Sequence, residues 1–125
     1  MALKILLIGL AGALGTLCRY GLSLLIHQRV ASGYYFLETL TVNALGCFLF
    51  GLVWSLAENK EWLSEAHKMI VLVGFMGAFT TFSTYIFQSN ELLEHGRFAI
   101  GAANLLAQNL LGFGALLLGV MLGRI

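Results

Sequence analysis

Four long apolar runs dominate this chain of 125 residues and limit what it can fold into. A helix needs about 20 mostly apolar residues to cross a bilayer, and each run is that long. Only 10% of the residues are charged and 59% are hydrophobic, whereas a soluble domain carries about 25% charged residues. We therefore predict an all-α membrane protein, with one four-helix transmembrane domain over residues 1–125 and spans at 3–26, 37–57, 69–93 and 98–122.

The connections between the runs, at 27–36, 58–68 and 94–97, are too short for a soluble domain. The first run extends past the 7–15 residues of a signal-peptide core and has no clear cleavage site, so we expect it to be a retained helix. A net charge of +1 argues against nucleic-acid binding. The sequence has no nucleophile–base pair, phosphate loop or zinc spacing, so an enzyme is not expected.

Polar residues interrupt the third run, where lipid would favour apolar ones. Residues 74–85 read Gly-Phe-Met-Gly-Ala-Phe-Thr-Thr-Phe-Ser-Thr-Tyr, with four hydroxyl side chains within five residues. Gly74 and Gly77 permit unusual dihedrals, and non-helical backbone at membrane depth must be buried or line a cavity. We therefore predict an interrupted third helix that handles ions. Its freed carbonyls suit a hard cation such as Na+, and its hydroxyl and N–H groups suit an anion.

Two other helices carry polar residues at helical spacing. Thr39 and Asn43 lie four residues apart on the second helix, and Asn104 and Gln108 repeat that spacing on the fourth. These stripes are compatible with a hydrogen-bonding track for an anion. They are also compatible with bonds between helices, worth about 0.6 kcal/mol each. Stripes on two separate helices favour the track.

Arg19 places a positive charge in the middle of the first span. Such a charge is costly in lipid unless it finds partners or water. It could tether helices by donating to backbone carbonyls, or it could attract an anion into a water-filled vestibule. No acidic residue lies at mid-span to neutralise it, which favours anion handling over proton-coupled cation export.

The positive charges give little preference for one orientation in the membrane. Four lie on one side and two on the other: Lys4, Lys60, Lys68 and Arg124 against Arg29 and Arg97. A single orientation and a dual-topology antiparallel dimer agree equally well with this bias. Because four helices leave little room for a pathway inside one subunit, we expect an oligomer with a site at or near its interface.

The interrupted segment closely resembles a known motif. Residues 74–85 match Gly-Phe-x-Gly-x-x-Thr-Thr-Phe-Ser-Thr-aromatic, which is typical of the Fluc (CrcB) fluoride channels. The Thr39-Leu40-x-Val42-Asn43 segment resembles that family's Gly-Thr-Leu-x-x-Asn motif, and Arg19 also matches. The resemblance covers essentially the whole chain.

The resemblance implies an antiparallel homodimer in the inner (plasma) membrane. It would export fluoride passively through two narrow pores and carry a structural Na+ at the dimer centre. The carbonyls of Gly77 and Thr80 would hold the Na+, and Arg19 would lie near the vestibule. The implied fluoride pore is lined by Asn43, Phe82, Ser83, Thr84, Tyr85, Thr39, Asn104 and Gln108.

The sequence departs from the family pattern in three places. Glu38 replaces a glycine, and we expect it to face solvent or pair with Arg29. Tyr85 replaces a phenylalanine. Gln108 and Gly112 replace hydroxyl residues on the fourth helix.

Two alternatives remain open from the sequence. The first is a small multidrug exporter that exchanges protons for cations, although that chemistry needs a glutamate in the first helix and this helix has none. The second is a non-conducting subunit of a larger membrane complex, although a scaffold would gain nothing from the polar stripes.

Overall fold

The computed structural model describes residues 1–60 and 63–125, and these residues form helices and short connections without strands. Three of the spans are single helices: α1 (Ala2–His27), α2 (Phe36–Lys60) and α6 (Phe98–Gly123). The third span is assembled from shorter pieces, namely α3 (Glu65–Met69), a π-helix (Ile70–Met76), α4 (Gly77–Phe79) and α5 (Phe82–Glu94).

The four predicted spans are confirmed, since four helical segments are long and apolar enough to cross a membrane. The third begins at Glu65 rather than at residue 69, because Ser64 caps its first turn and accepts a hydrogen bond from the His67 N–H at 3.4 Å. The predicted connection at 58–68 is therefore partly helical at both ends. Residues 61–62 of that connection lie outside the described residues.

Glycines bring α2 and α6 into close contact along most of their length. A side chain at Gly51 would overlap the carbonyl of Leu116, and one at Gly119 would overlap that of Phe48. The Cβ of a side chain at Gly123 would lie 2.7 Å from the Ser55 Cβ. Small residues let helix backbones approach closely in membranes, so these glycines join α2 and α6 into a closely packed pair.

α1 packs against the third span by the same means. A side chain at Gly15 would overlap the Phe75 carbonyl, and a Cβ at Gly74 would lie 2.9 Å from the Ile8 carbonyl oxygen. The opposite face of α1 carries exposed leucines, and a Cβ added at Gly9 would meet no atom of the described residues within 4 Å. This face is left for lipid or for another protein chain.

The break in the third span lies at Thr80 and Thr81, which have extended backbones (φ/ψ −82°/161° and −147°/119°). The expectation that Gly74 and Gly77 supply unusual dihedrals is wrong. Gly77 has ordinary helical angles of −62° and −33°, and within the described residues only Gly33 and Gly96 have positive φ. Close packing on α1 accounts for Gly74 instead.

Polar contacts close one end of the bundle, where the α1–α2 connection meets α5 and α6. Arg97 donates to the Gly33 carbonyl at 2.6 Å and lies over the Tyr34 ring. Burial, the charge of Glu91 and a hydrogen bond to Glu91 raise the pKa of Tyr35, against a smaller lowering by Arg97.

Glu38 lies at the same end of the bundle. We expected it to face solvent or to pair with Arg29, and it pairs with His27 instead. Its carboxylate lies 2.6 Å from Nδ1 of His27, the last residue of α1. The two residues meet because the connection reverses the chain within about ten residues and brings the start of α2 next to the end of α1.

Candidate functional site

The Asn43 side chain holds the break in the third span open. Its Oδ1 accepts from the Thr81 backbone N–H at 2.8 Å, and its Nδ2 donates to the Thr81 carbonyl at 2.9 Å. The Asn43 side chain thus supplies the hydrogen bonds that backbone groups would give Thr81 in a continuous helix. Gly46, one turn further along α2, makes room for this arrangement, because a side chain there would overlap the Thr80 methyl group.

Hydroxyls cap both sides of the break. Thr80 Oγ1 donates to the Met76 carbonyl at 3.1 Å, which completes the last turn before the break. Thr81 is the N-cap of α5, where its hydroxyl accepts from the Thr84 N–H and lies 2.9 Å from the Thr84 hydroxyl. The hydroxyls of the motif therefore stabilise the interruption.

The backbone carbonyls at the break lose their helical donors, among them those of Gly77 and Thr80. In a continuous helix the Gly77 carbonyl would accept from the Thr81 N–H, which goes to Asn43 instead. The Thr80 carbonyl would accept from the Thr84 N–H, which goes to the Thr81 hydroxyl. Carbonyl oxygens are ligands for hard cations. Among the described residues, no group of three or more His, Cys, Asp or Glu offers an alternative metal site.

A groove of about 370 Å³ opens beside the break, between the third span, α2 and α6. Its walls combine amides with aromatic rings. Phe82 and Tyr85 meet edge to face with centroids 5.0 Å apart, and Phe82 is 72% exposed whereas Tyr85 is buried. The groove is lined by Asn43, Cys47, Thr80, Thr81, Phe82, Tyr85, Gln108, Asn109, Gly112, Phe113 and Leu116.

Gln108 is a groove residue with a buried, unused donor. Its Oε1 accepts from Asn43 Nδ2 at 3.0 Å. Its Nε2 is buried and makes no hydrogen bond within the described part of the chain. Both hydrogens of Asn43 Nδ2 are already engaged, one with Thr81 and one with Gln108. An anion in the groove would therefore find its amide donor on Gln108 rather than on Asn43.

Asn104 lies one turn from Gln108 on the same face of α6 and is 1% exposed. Its Nδ2 donates to the Ser89 hydroxyl at 2.8 Å, and that hydroxyl donates to the Tyr85 carbonyl at 2.8 Å. The Oδ1 of Asn104 is buried and has no partner among residues 1–60 and 63–125. The α6 stripe predicted from spacing is thus buried between helices.

Arg19 lies against the third span and is half-buried. Its Nε donates to the Ala78 carbonyl at 3.3 Å, three residues before Thr81. The contact matches the tethering alternative given for this residue. It also brings a positive charge close to the break, so the two alternatives do not exclude each other.

The remaining predicted pore residues lie outside the groove lining. Thr39 is buried on α2, although it shares a stripe with Asn43. Ser83 is exposed at the start of α5, and Thr84 is engaged with Thr81. The structure thus brings together Asn43, Phe82, Tyr85 and Gln108 from the predicted set, next to the carbonyls of Gly77 and Thr80.

Sequence reasoning missed several residues of this site. The sequence analysis gives Thr81 no role beyond the motif. Threonine is nevertheless a favoured N-cap residue, and Thr81 precedes the first residue of α5. Ser89 is a mid-span hydroxyl, and polar side chains inside a membrane span are costly and indicate function. Cys47 lines the groove, whereas Cys18 is exposed on α1.

Comparison with known proteins identifies the family of this chain. The profile of the family described as "CrcB-like protein, Camphor Resistance (CrcB)" matches residues 6–120. That range includes every groove residue, the second and third spans, and all of the first and fourth spans except residues 2–5 and 121–123.

Individual relatives are similar over nearly the whole chain, and three of them carry the name "Fluoride-specific ion channel FluC". The protein from Nitratidesulfovibrio vulgaris is 50% identical, with 98% of each chain covered. Those from Solidesulfovibrio magneticus and Desulforapulum autotrophicum are 49% and 48% identical, with 98% of this chain and 97% of each relative covered.

Proposed function

Because this chain belongs to the CrcB-like family, we propose that it is a passive, fluoride-selective ion channel whose pathway follows the groove beside the broken third span. The relatives named as fluoride-specific channels align with 98% of its length. The chain is thus a multi-pass membrane protein of a channel family and not an enzyme. One observation carries the choice of pathway: Gln108 lines the groove, and its buried Nε2 has no hydrogen-bond partner among the described residues.

The groove chemistry suits a small, strongly hydrated anion. A selective pore must replace the ion's water with donors and partial positive charge, yet bind loosely enough for release. Gln108 Nε2 supplies the donor. Phe82 and Tyr85 have electropositive ring edges that can face the ion. Arg19, held on the Ala78 carbonyl, adds positive charge near the break and attracts anions toward it.

The pathway is completed by a second copy of the chain in an antiparallel, dual-topology homodimer with two pores. Two observations support this part of the proposal. The groove is open on one side, with Phe82 72% exposed at its edge. The outer face of α1 carries exposed apolar side chains and the unpacked Gly9. Ser83 and Thr84 at the start of α5, and Thr39 on α2, would lie along the completed pores.

A structural Na+ fits the break. The carbonyls of Gly77 and Thr80 have lost their helical donors to Asn43 and Thr81, and they would hold the ion. Bound there, Na+ would offset the partial negative charge of these carbonyl oxygens. It would also stabilise the contact between two subunits that meet at their breaks. This role is structural, so no transport step depends on exchanging the ion.

A passive pore is sufficient for export. Fluoride enters from an acidic exterior as HF and dissociates in the more alkaline cytoplasm. The potential of the plasma membrane, negative inside, then drives the anion outward with about 2.3 kcal/mol per charge per 100 mV. No coupling ion or buried carboxylate is needed, in keeping with a first span that has Arg19 and no acidic residue.

Ion efflux from liposomes tests the proposal. Purified protein is reconstituted into vesicles loaded with both fluoride and chloride, and two ion-selective electrodes follow the release. We expect rapid loss of fluoride with no protein-dependent loss of chloride. Equal loss of both ions, or no loss of fluoride from folded protein, would refute a fluoride-selective channel.

A further inference from the structure

A second cleft lies at the end of the bundle where the connections at 28–35 and 95–97 meet. It has a volume of about 510 Å³ and is lined by Tyr35, Glu91, Leu92, His95 and Arg97. Among the described residues it shares no lining residue with the groove beside the break. Because its wall includes both a carboxylate and a guanidinium, the cleft suits a ligand that carries a positive and a negative charge.

The two charges of the cleft are not paired with each other. No ion pair within residues 1–60 and 63–125 includes Glu91 or Arg97. Both nevertheless lie close to Tyr35, because each of them acts electrostatically on its phenol. The carboxylate and the guanidinium therefore border one space without neutralising each other by direct contact.

Each charged group is held in place by contacts that leave part of it open. Arg97 Nη1 donates to the Gly33 carbonyl at 2.6 Å, and the guanidinium lies 5.4 Å from the centre of the Tyr34 ring. A guanidinium has five N–H donors, so most remain for a ligand. Glu91 accepts from the Tyr35 phenol and has lone pairs to spare. Groups that are already ordered lose little entropy when a ligand binds.

His95 adds a polar atom beside Arg97. Its Nδ1 lies 2.7 Å from the backbone carbonyl of Glu91, which can only accept, so Nδ1 carries a hydrogen. Nε2 makes no hydrogen bond within the described part of the chain, and the residue is exposed. The protonated ring can therefore donate from Nε2 to an anion that also contacts the guanidinium.

The cleft lies at the depth of lipid headgroups, because it is built where the spans end. Tyr34 and Tyr35 belong to the residue type that is enriched at this depth. Exposed apolar side chains lie next to the cleft: Phe98, the first residue of α6, is 67% exposed, and Phe87, one turn before Glu91 on the same face of α5, is 61% exposed. An apolar surface thus runs from the cleft toward the middle of the bilayer, where acyl chains lie.

We propose that this cleft binds the headgroup of phosphatidylethanolamine, with the phosphate on Arg97 and His95 and the primary ammonium on Glu91. A guanidinium can donate two hydrogen bonds to a phosphate, and a primary ammonium can donate to a carboxylate. Phosphatidylcholine has no N–H for Glu91, and phosphatidylglycerol has no positive charge. The lipid site is separate from the ion pathway and does not depend on it.

Native mass spectrometry of the purified protein tests this site. The protein is mixed with equal amounts of phosphatidylethanolamine, phosphatidylcholine and phosphatidylglycerol that have the same acyl chains, and the bound lipids are quantified. We expect the ethanolamine lipid to bind about threefold or more tightly than either of the others, as one additional ion pair would give. Equal binding of the three lipids, or a preference for phosphatidylglycerol, would overturn the proposal.

Glu91→Gln separates the headgroup site from the general charge of the surface. It removes the negative charge and keeps an oxygen for the Tyr35 phenol, so the preference for the ethanolamine lipid should disappear. Glu94→Gln is the matched control, because it removes the same charge from a side chain that bonds to Asn90 and does not line the cleft. This variant should keep the preference. Loss of the preference in both variants, or in neither, would refute the assignment to Glu91.

Glycerophosphoethanolamine, which has the same headgroup without acyl chains, distinguishes a lipid from a soluble ligand. We expect it to displace phosphatidylethanolamine only in large excess, because it lacks the contacts with Phe87 and Phe98. Displacement at equal concentration would assign the cleft to a soluble ligand and would overturn the lipid as its occupant. In Arg97→Lys, which keeps the charge but loses the paired donors, all three lipids should bind about threefold more weakly. Unchanged binding would contradict a phosphate on Arg97.

Discussion

Two groups of polar side chains lie at membrane depth in this protein, and they differ in how fully their hydrogen bonds are paired. At the break, Asn43 uses both amide hydrogens and its oxygen, and Thr81 is bonded through N–H, carbonyl and hydroxyl. On α6, Gln108 and Asn104 each leave one buried atom without a partner in residues 1–60 and 63–125, as does Gln88 on α5. Pairing marks the atoms that hold the fold. A buried polar atom left unpaired costs about 1–3 kcal/mol, and in the proposed channel the one on Gln108 meets the ion.

The largest expected effect on fluoride flux comes from Asn43, which bonds both to Thr81 at the break and to Gln108 on α6. Asn43→Asp keeps an oxygen for the Thr81 N–H, loses both donated hydrogen bonds and adds a negative charge to the pathway. We expect fluoride flux in liposomes to be abolished. Retained flux in folded mutant protein would contradict the assignment of the pathway to this groove.

Gln108→Leu separates transport from stability. It removes the unpaired donor, so fluoride efflux should fall about tenfold or more. The free energy of unfolding should change by less than about 1 kcal/mol, because one bond to Asn43 is lost while one unsatisfied N–H is removed. Parallel efflux and denaturant titrations check this, with Asn90→Leu as control, because Asn90 is exposed on α5 and donates to Glu94 rather than lining the groove. A large loss of stability with normal flux would show that Gln108 stabilises the fold and does not serve transport.

Thr81→Val should give the opposite pattern with a smaller effect. The change keeps the shape and the backbone bonds to Asn43 but removes the N-cap hydroxyl of α5. We expect a loss of about 1 kcal/mol in unfolding free energy, with flux reduced less than twofold. If flux falls as far as in Gln108→Leu while stability is normal, the hydroxyl belongs to the pathway after all.

The smallest effect lies away from both groups, at Tyr35. Its pKa is raised above the usual 10.0, chiefly by burial and then by Glu91. A raised pKa in the folded state leaves stability unaffected below about pH 10 and lowers it as the pH rises further. Tyr35→Phe should lack this part of the alkaline destabilisation, as measured by thermal unfolding from pH 8 to 11. Identical alkaline profiles for both proteins would contradict the contact with Glu91.

Much of the fold was predictable, because apolar length alone decides which segments can cross a membrane. The four spans and the interruption of the third followed from composition and from the hydroxyl cluster. The cause of the interruption did not follow. Gly77 is regular, and the break is held by Asn43, which lies 38 residues away in the sequence. Helical spacing predicts a shared face, not the partner on the other helix.

For the candidate site, the sequence predicted many of the residues but not their partners or orientations. Spacing grouped Thr39 with Asn43, yet only Asn43 reaches the groove, because the groove begins where α2 meets the break. Spacing also grouped Asn104 with Gln108 and gave both the same role. Their opposite orientations depend on Ser89 and Thr81, which belong to another span, so the difference is visible only in the folded chain.

The central claim is that fluoride moves through this groove, and chemical modification of Cys47 tests it most directly. Cys47 lines the groove, and the exposed Cys18 is removed with Cys18→Ser. Methyl methanethiosulfonate adds a small neutral group to Cys47, and mass spectrometry measures the extent of reaction. We predict that fluoride efflux falls at least tenfold in Cys18→Ser and is unchanged in the Cys18→Ser/Cys47→Ser double variant. Full efflux from protein with completely modified Cys47 would contradict the claim.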